Sequence, residues 1–158
     1  MTIKVGINGF GRMGRLTMRA AFDWDDIDIV QINDPAGDAA TLAHLLTFDS
    51  VHGIWHHEAS HEGETMLVAG KRITCSQNKS IAETDWSGCD VVIEASGKMK
   101  TKALLQSYLD QGVKRVVVTA PVKEEGVLNV VMGVNDQLYN REQHPIARHC
   151  TWLNDHHS

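Results

Sequence analysis

A doubly wound α/β fold, in which a parallel sheet carries helices on both faces and holds a small antiparallel insertion, is predicted for this chain by three observations. First, Gly9-x-Gly11-x-x-Gly14 directly follows the alternating run Ile3-Lys4-Val5-Gly6-Ile7 and opens a stretch of helical spacing. Second, short apolar runs of the kind buried on both sides of a parallel sheet, Val91-Val92-Ile93 and Val116-Val117-Val118, alternate with helical segments. Third, Asn33-Asp34, Ser96-Gly97 and Thr119-Ala120 all fall where strands end, which is where open α/β sheets take their ligands.

The elements follow in order. Ile3–Ile7 alternates as a strand, and Met13, Leu16 and Ala20 recur at helical spacing beside a stripe of Arg12, Arg15 and Arg19. Ile27, Ile29 and Ile32 read as a second strand ending at Asn33-Asp34. Asp38 can cap a helix that runs through about Thr47 and buries Leu42, Leu45 and Leu46. Phe48 to Gly53 reads as a loop. Ala59-Ser60, Met66-Leu67-Val68 and Arg72-Ile73-Thr74-Cys75 are short strands broken at Glu62-Gly63 and Ala69-Gly70, so they read as antiparallel hairpins inserted between parallel units. Asp90–Glu94 resumes the parallel pattern. Thr101 caps a helix carrying Leu104, Leu105, Tyr108 and Leu109, which Gly112 stops. Arg115–Val118 and Asn129–Val134 are the remaining strands, and the crossovers are right-handed.

Composition narrows the function classes. With 42% hydrophobic residues, 158 residues suffice for one domain with a core, yet no apolar run reaches the length of a membrane span. A formal charge of −5 gives no general attraction to nucleic acid or to an anionic membrane. The strand that begins almost at Met1 leaves no room for a signal peptide. Cys75, Cys89 and Cys150 are widely spaced and odd in number, which fits free thiols in a cytoplasmic compartment. Of the nine histidines, His57 and His61 have i, i+4 spacing, but Gly53, Trp55 and Gly63 around them read as loop and strand edge. A solvated polar edge is therefore expected there, and no metal site.

The glycine turn carries the chemistry. The first glycine permits the tight turn, the second lets a pyrophosphate approach the backbone, and the third lets helix and strand pack. The phosphates would rest on N–H groups at the positive end of the helix dipole. Asp34 lies 20 residues past Gly14, where the fingerprint places a carboxylate for ribose hydroxyls; a carboxylate there favours NAD over NADP. Each feature has a plainer alternative: an ordinary tight turn at the glycines, a turn residue before Pro35 at Asp34, and simple turns at Ser96-Gly97 and Thr119-Ala120-Pro121. Their convergence on the carboxyl ends of strands favours a dinucleotide site.

Lys4 to Arg15 closely resembles the opening signature of the phosphorylating glyceraldehyde-3-phosphate dehydrogenase family. Further matches in the family's order are Ile32-Asn33-Asp34, Ala43-His44-Leu45-Leu46, Phe48-Asp49-Ser50-Val51-His52-Gly53, Glu94-Ala95-Ser96-Gly97, Thr119-Ala120-Pro121 and Val131-Met132-Gly133-Val134-Asn135-Asp136. The resemblance covers about residues 2–146. It implies a Rossmann NAD-binding domain over 1–146, in which Asn8, Gly9, Phe10, Gly11, Arg12, Met13 and Gly14 surround the pyrophosphate. Asn33 and Asp34 would serve the adenine ribose, while Ser96, Gly97, Thr119 and Ala120 would line the remaining path. Gln77-Asn78-Lys79 stands where the family commonly has Arg-Asp-Pro, which removes a planar cation able to stack on adenine.

The family's chemistry uses a cysteine thiolate, activated by a histidine, that attacks an aldehyde, with NAD accepting hydride and phosphate releasing the product. After His144-Pro145-Ile146 the chain stops following the family. Cys150-Thr151 only echoes the nucleophile motif, with His149 for its Ser and Trp152 for its second Thr, so Cys150 stands as either a nucleophile or a frayed terminal thiol. Residues 147–158 are expected to be a disordered tail, and the catalytic domain to be absent. The leading expectation is an NAD-binding domain inactive by itself. The rivals are a non-enzymatic module that docks to full-length subunits or to itself through the bared domain face (the family is homotetrameric), and an arsenic-resistance-associated variant, suggested by Lys98-Met99-Lys100-Thr101-Lys102.

Overall fold

A computed structural model describes residues 2–120, 122, 124–125, 127–130, 134–140 and 142–149. Strands β1 (Ile3–Asn8), β2 (Ile27–Asn33), β7 (Lys71–Ser76), β8 (Val91–Glu94), β9 (Arg115–Val118), β10 (Leu128–Val130) and β11 (Ile146–His149) join β5 (Ala59–Glu62) and β6 (Thr65–Val68) in one sheet. Its order is β10-β11-β9-β8-β1-β2-β7-β6-β5. Every pair from β10 across to β7 is parallel, and only β7–β6 and β6–β5 are antiparallel. Phe48–Asp49 (β3) and Gly53–Ile54 (β4) form a separate two-stranded ribbon where a loop was expected.

Helices α1 (Arg12–Ala21), α2 (Ala39–Thr47) and α3 (Lys102–Asp110) cover the sheet. One core layer gathers Val5, Ile7, Met18, Phe22, Ile32 and Leu46, with others of the α1–α2 side. The opposite layer gathers Trp86, Val92, Leu105, Tyr108, Val116 and Ile146, with others of the α3 side. Residues of β1 alternate between the two: Val5 and Ile7 face the first, while a Cβ at Gly6 would lie 2.8 Å from Cys89 Sγ and Trp86 in the second. The uneven spacing of Ile29 and Ile32 is reconciled by a bulge. Val5 pairs with Ile29 but Gly6 with Gln31, and this skipped residue returns Ile32 to the face of Ile29.

The helices form where expected but roll differently. In α1 the buried stripe is Gly14, Met18 and Ala21, while Met13 is 48% exposed at the mouth of the glycine turn. In α2, Leu42 and Leu46 are buried and Leu45 is exposed; in α3, Leu105 and Tyr108 are buried and Leu104 is exposed. The caps are as read: Asp38 Oδ1 accepts the Thr41 N–H at 2.9 Å, and Thr101 accepts from Leu104 N. Gly112, at φ +100, follows the end of α3.

The hairpin segment is less separate than its sequence implies. Both of its turns are two-residue connections: Gly63 at φ +60 between β5 and β6, and Ala69-Gly70 at φ +48 and +80 between β6 and β7. But β7 also pairs in parallel with β2, Gln31 to Thr74 and Asn33 to Ser76, so it belongs to the main sheet. At the other side, β11 runs through Ala147, Arg148 and His149 between β9 and β10, so the sheet continues past the boundary expected at Ile146. Pro121, Val131, Met132, Gly133 and Cys150, with the remainder of that expected tail, lie outside the described residues.

Candidate functional site

The carboxyl ends of β1, β2, β7 and β8 meet at one cleft of about 650 Å³. Its lining includes Asn8, Gly9, Gly11, Asp34, Ala95 and Ser96, together with Asn78, Lys79, Lys98 and Met99. The volume is that of a site for a small organic molecule.

The three glycines meet different constraints. Gly9 holds φ +92, and a Cβ there would lie 2.4 Å from the Ser96 backbone nitrogen. A Cβ at Gly14 would lie 2.1 Å from the Gly9 carbonyl oxygen, so the third glycine seats the helix directly on the turn. A Cβ at Gly11 would meet nothing within 4 Å. Gly11 has φ −71, which any residue can adopt, so neither backbone nor packing explains a glycine there. A bound group pressed against the backbone would explain it. Gly11 also precedes α1 without a side-chain cap, which leaves the N–H groups of the first turn available to an anion.

Asp34 closes this turn. Its Oδ2 accepts the Phe10 N–H at 2.7 Å and its Oδ1 accepts the Ala36 N–H at 2.8 Å. Arg15 supports the turn from the helix, its Nη1 donating to the Phe10 carbonyl at 3.1 Å. The carboxylate thus does two things the spacing alone does not separate: it is the turn residue of the plainer reading, and it forms part of the cleft wall.

A buried polar network lies beneath the cleft. Asn8 Nδ2 donates to Glu94 Oε2 at 2.8 Å and to the Tyr108 hydroxyl at 2.7 Å. Tyr108 in turn donates to Glu94, and Ser96 donates its hydroxyl and, at 2.9 Å, its N–H to the other Glu94 oxygen. Asn33 Nδ2 donates to Asn8 Oδ1 at 2.9 Å, and Asn33 Oδ1 accepts the Asn78 N–H at 2.9 Å and the Ser76 hydroxyl at 2.7 Å. Glu94 is only 1% exposed, so these donors replace the water it has lost. Burial, with the adjacent Glu94, pushes the Tyr108 phenol far above its ordinary range and keeps it a donor. One network ties together the ends of β1, β2, β7 and β8.

Most of the predicted residues assemble here, but not all in the expected manner. Asn8, Gly9, Gly11, Asp34 and Ser96 line the cleft. Asn8 and Asn33 are buried and act as struts. Phe10 is 1% exposed and meets the site through its backbone. Arg12 and Met13 are exposed on the first turn of α1, Gly14 is packed against the turn, and Gly97 takes φ +71 beside Ser96. Thr119 and Ala120 stand at the end of β9 outside the cleft lining; the Thr119 N–H donates to the Glu94 carbonyl at 3.0 Å. Asn78 and Lys79 were placed near the adenine only by the family resemblance, because the residues' own pattern read β7 as part of a hairpin. Its parallel pairing with β2 is what brings its carboxyl end to the cleft.

Neither described cysteine is a nucleophile. Cys75 and Cys89 are buried, and burial pushes both thiols up to about 11 from an ordinary 9.0. Cys150 lies outside the described residues. His57 and His61 do not form an i, i+4 pair on a helix: His61 is on β5, while His57 precedes it and meets Asp23 instead.

A glycine turn on an uncapped helix, with a carboxylate at the end of the neighbouring strand, defines a dinucleotide-binding domain of the doubly wound class. A sequence profile described as "Glyceraldehyde 3-phosphate dehydrogenase, NAD binding domain" matches residues 3–102. The chain belongs to the glyceraldehyde-3-phosphate dehydrogenase family and carries its NAD-binding domain, with NAD as cofactor. It is 50% identical over 155 residues to glyceraldehyde-3-phosphate dehydrogenase 3 of Nostoc sp., covering 96% of this chain and 46% of that protein. It is 41% identical to the Geobacillus stearothermophilus enzyme and 40% to glyceraldehyde-3-phosphate dehydrogenase 1 of Bacillus subtilis, each over 153 residues, 96% of this chain and 45% of the relative. The chain thus spans about half the length of the relatives it matches.

Proposed function

We propose that the cleft at Gly9–Gly14 holds NAD for the oxidation of a phosphorylated aldehyde, glyceraldehyde 3-phosphate by family, and that these 158 residues supply the cofactor half of that reaction. The carrying observation is Gly11, a glycine that lines the cleft and that nothing among the described residues requires. The first turn of α1 would take the pyrophosphate and Asp34 a ribose, held ready by its bonds to Phe10 and Ala36. When bound, NAD supplies the hydride acceptor. Asn8, Asn33, Glu94 and Ser96 keep the strand ends in register around it, and Lys79 and Lys98 add positive charge at the rim.

The aldehyde chemistry also needs an activated thiolate. Among the described residues Cys75 and Cys89 are buried, and burial pushes both thiols up, so neither supplies that thiolate; Cys150 lies outside the described residues, and NAD binding without turnover of aldehyde is the expectation to be tested. The two described thiols suit a reducing, cytoplasmic setting. Calorimetric titration with NAD and NADP, beside a dehydrogenase assay, tests the reading. NAD binding tighter than NADP with no turnover is expected; NADP preference, or turnover lost on Cys150→Ser, would overturn it.

A second reading, docking to full-length subunits or to another copy, is favoured by the exposure of Val134 (62%), Leu138 (60%) and Tyr139 (38%). Co-elution with a full-length relative in size-exclusion chromatography would support it, and a monomer indifferent to that relative would not.

A further inference from the structure

Away from the cleft, the turn after α1 and the segment after β4 converge on a cluster that the dinucleotide chemistry does not use. Phe22 and Trp55 pack edge to face, centroids 5.3 Å apart, and this contact brings Asp23 beside His56 and His57. His57 Nε2 lies 2.6 Å from Asp23 Oδ1 and His56 Nε2 lies 3.0 Å from Asp23 Oδ2. The two imidazoles therefore aim the same nitrogen at the two oxygens of one carboxylate. The three ligand atoms fall within 4.8 Å of one another.

We propose that Asp23, His56 and His57 form a surface site for a divalent transition-metal ion of the zinc type. Two imidazoles and a carboxylate are a donor set that zinc accepts readily and that magnesium and calcium, which prefer all-oxygen shells, do not. Zinc bonds of about 2.0–2.2 Å in tetrahedral geometry set ligand atoms about 3.3–3.5 Å apart, so small side-chain rotations close the site. Packing holds His57 in position, since its ring stands edge-on to Phe22 at 5.0 Å and to Trp55 at 4.9 Å, and its side chain is only 23% exposed. Asp23 and His56 side chains are 53% and 65% exposed, which leaves the outer position open to water. Asp25 and Asp28 line the adjoining hollow with Asp23 and His57 and add negative charge. Lys71, whose Nζ sits 5.0 Å from the Phe22 ring centroid, is the opposing cation. The i, i+4 histidine spacing misses this set because its members come from two loops that are remote in sequence and meet through the packing of Phe22 on Trp55 and His57.

The test is calorimetric titration of Zn2+ into the chain carrying Cys150→Ser, His156→Gln and His157→Gln, which removes competing donors near the end of the sequence. One equivalent is expected to bind. Adding His57→Gln or His56→Gln should weaken binding by more than the roughly 10–100-fold that loss of an outer-shell partner causes. His56 is exposed enough that its variant should keep the parent's metal-free melting temperature, which separates ligand loss from misfolding. Mg2+ should give no comparable heat. Absence of Zn2+ binding, equal Zn2+ affinity in the parent and His56→Gln, or Mg2+ binding as strong as Zn2+, would overturn the proposal.

Discussion

Gly9 and Gly11 are two residues apart in one turn and are glycines for opposite reasons. Gly9 is demanded by the fold, with φ +92 and a backbone nitrogen where its Cβ would stand; Gly9→Ala should cost about 2–4 kcal/mol in urea unfolding, combining left-handed strain with overpacking. Gly11→Ala should change stability by less than about 0.5 kcal/mol, because its methyl enters open space. Spacing alone gives both the same standing; only three-dimensional surroundings separate a glycine the fold requires from one that opens onto the cleft. The buried thiols make a second residue-scale prediction. Cys75 and Cys89 ionise near 9.0 when unfolded and near 11 when folded, so between those values the unfolded chain holds fewer protons. Their contribution to stability is intact below pH 9 and is lost as pH rises from 9 to 11. Urea midpoints at pH 8 and 10.5 should show that fall, and Cys75→Ala with Cys89→Ala should flatten it.

At the scale of elements, the C-terminal end of α2 is held by a single side chain. Arg19, in the last turn of α1, donates from Nε and Nη2 to the Leu46 carbonyl at 3.0 and 2.7 Å, and from Nη2 to Thr47 and Gly53 carbonyls at 3.1 Å each. One guanidinium thereby satisfies the open C-terminus of α2 and fixes the β3–β4 ribbon. Arg19→Met keeps the stem and removes the donors, and should cost about 1.5–3 kcal/mol by thermal or chemical unfolding. Elements with local signals were legible in the sequence: the Asp38 and Thr101 caps, the glycine turn and the β-branched runs at Val91–Ile93 and Val116–Val118 appear where they read, whereas the strand read over Asn129–Val134 is described only as Leu128–Val130, with Val134 in a turn. The helix faces were less so, since Met13, Leu45 and Leu104 are apolar yet exposed, and residue type alone does not say which side of a helix meets a sheet. Strand β7 was read as a hairpin arm because its antiparallel partner is adjacent in sequence, while its parallel partner β2 is remote. Strand β11, with Arg148 and His149, carries no β-branched run and is a strand because β9 and β10 flank it.

The whole molecule brings four strand ends to one cleft and braces them from below with Asn8, Asn33, Glu94 and Tyr108. The cofactor role was legible because it depends on short motifs at those ends. The bracing network was not, because Tyr108 is 14 residues from Glu94 and 100 from Asn8 in sequence and reads as a core residue of a helix. The division of labour that follows is cofactor binding in these residues, with no activated thiolate among the described cysteines. The most direct measurement is calorimetric titration of NAD into the 158-residue chain and its Gly11→Ala variant, with melting temperatures recorded in parallel. Single-site binding by the parent, weakened about tenfold or about 1.4 kcal/mol in Gly11→Ala at unchanged melting temperature, is the expected result. No NAD binding by the folded parent, or equal affinity in the two proteins, would contradict it.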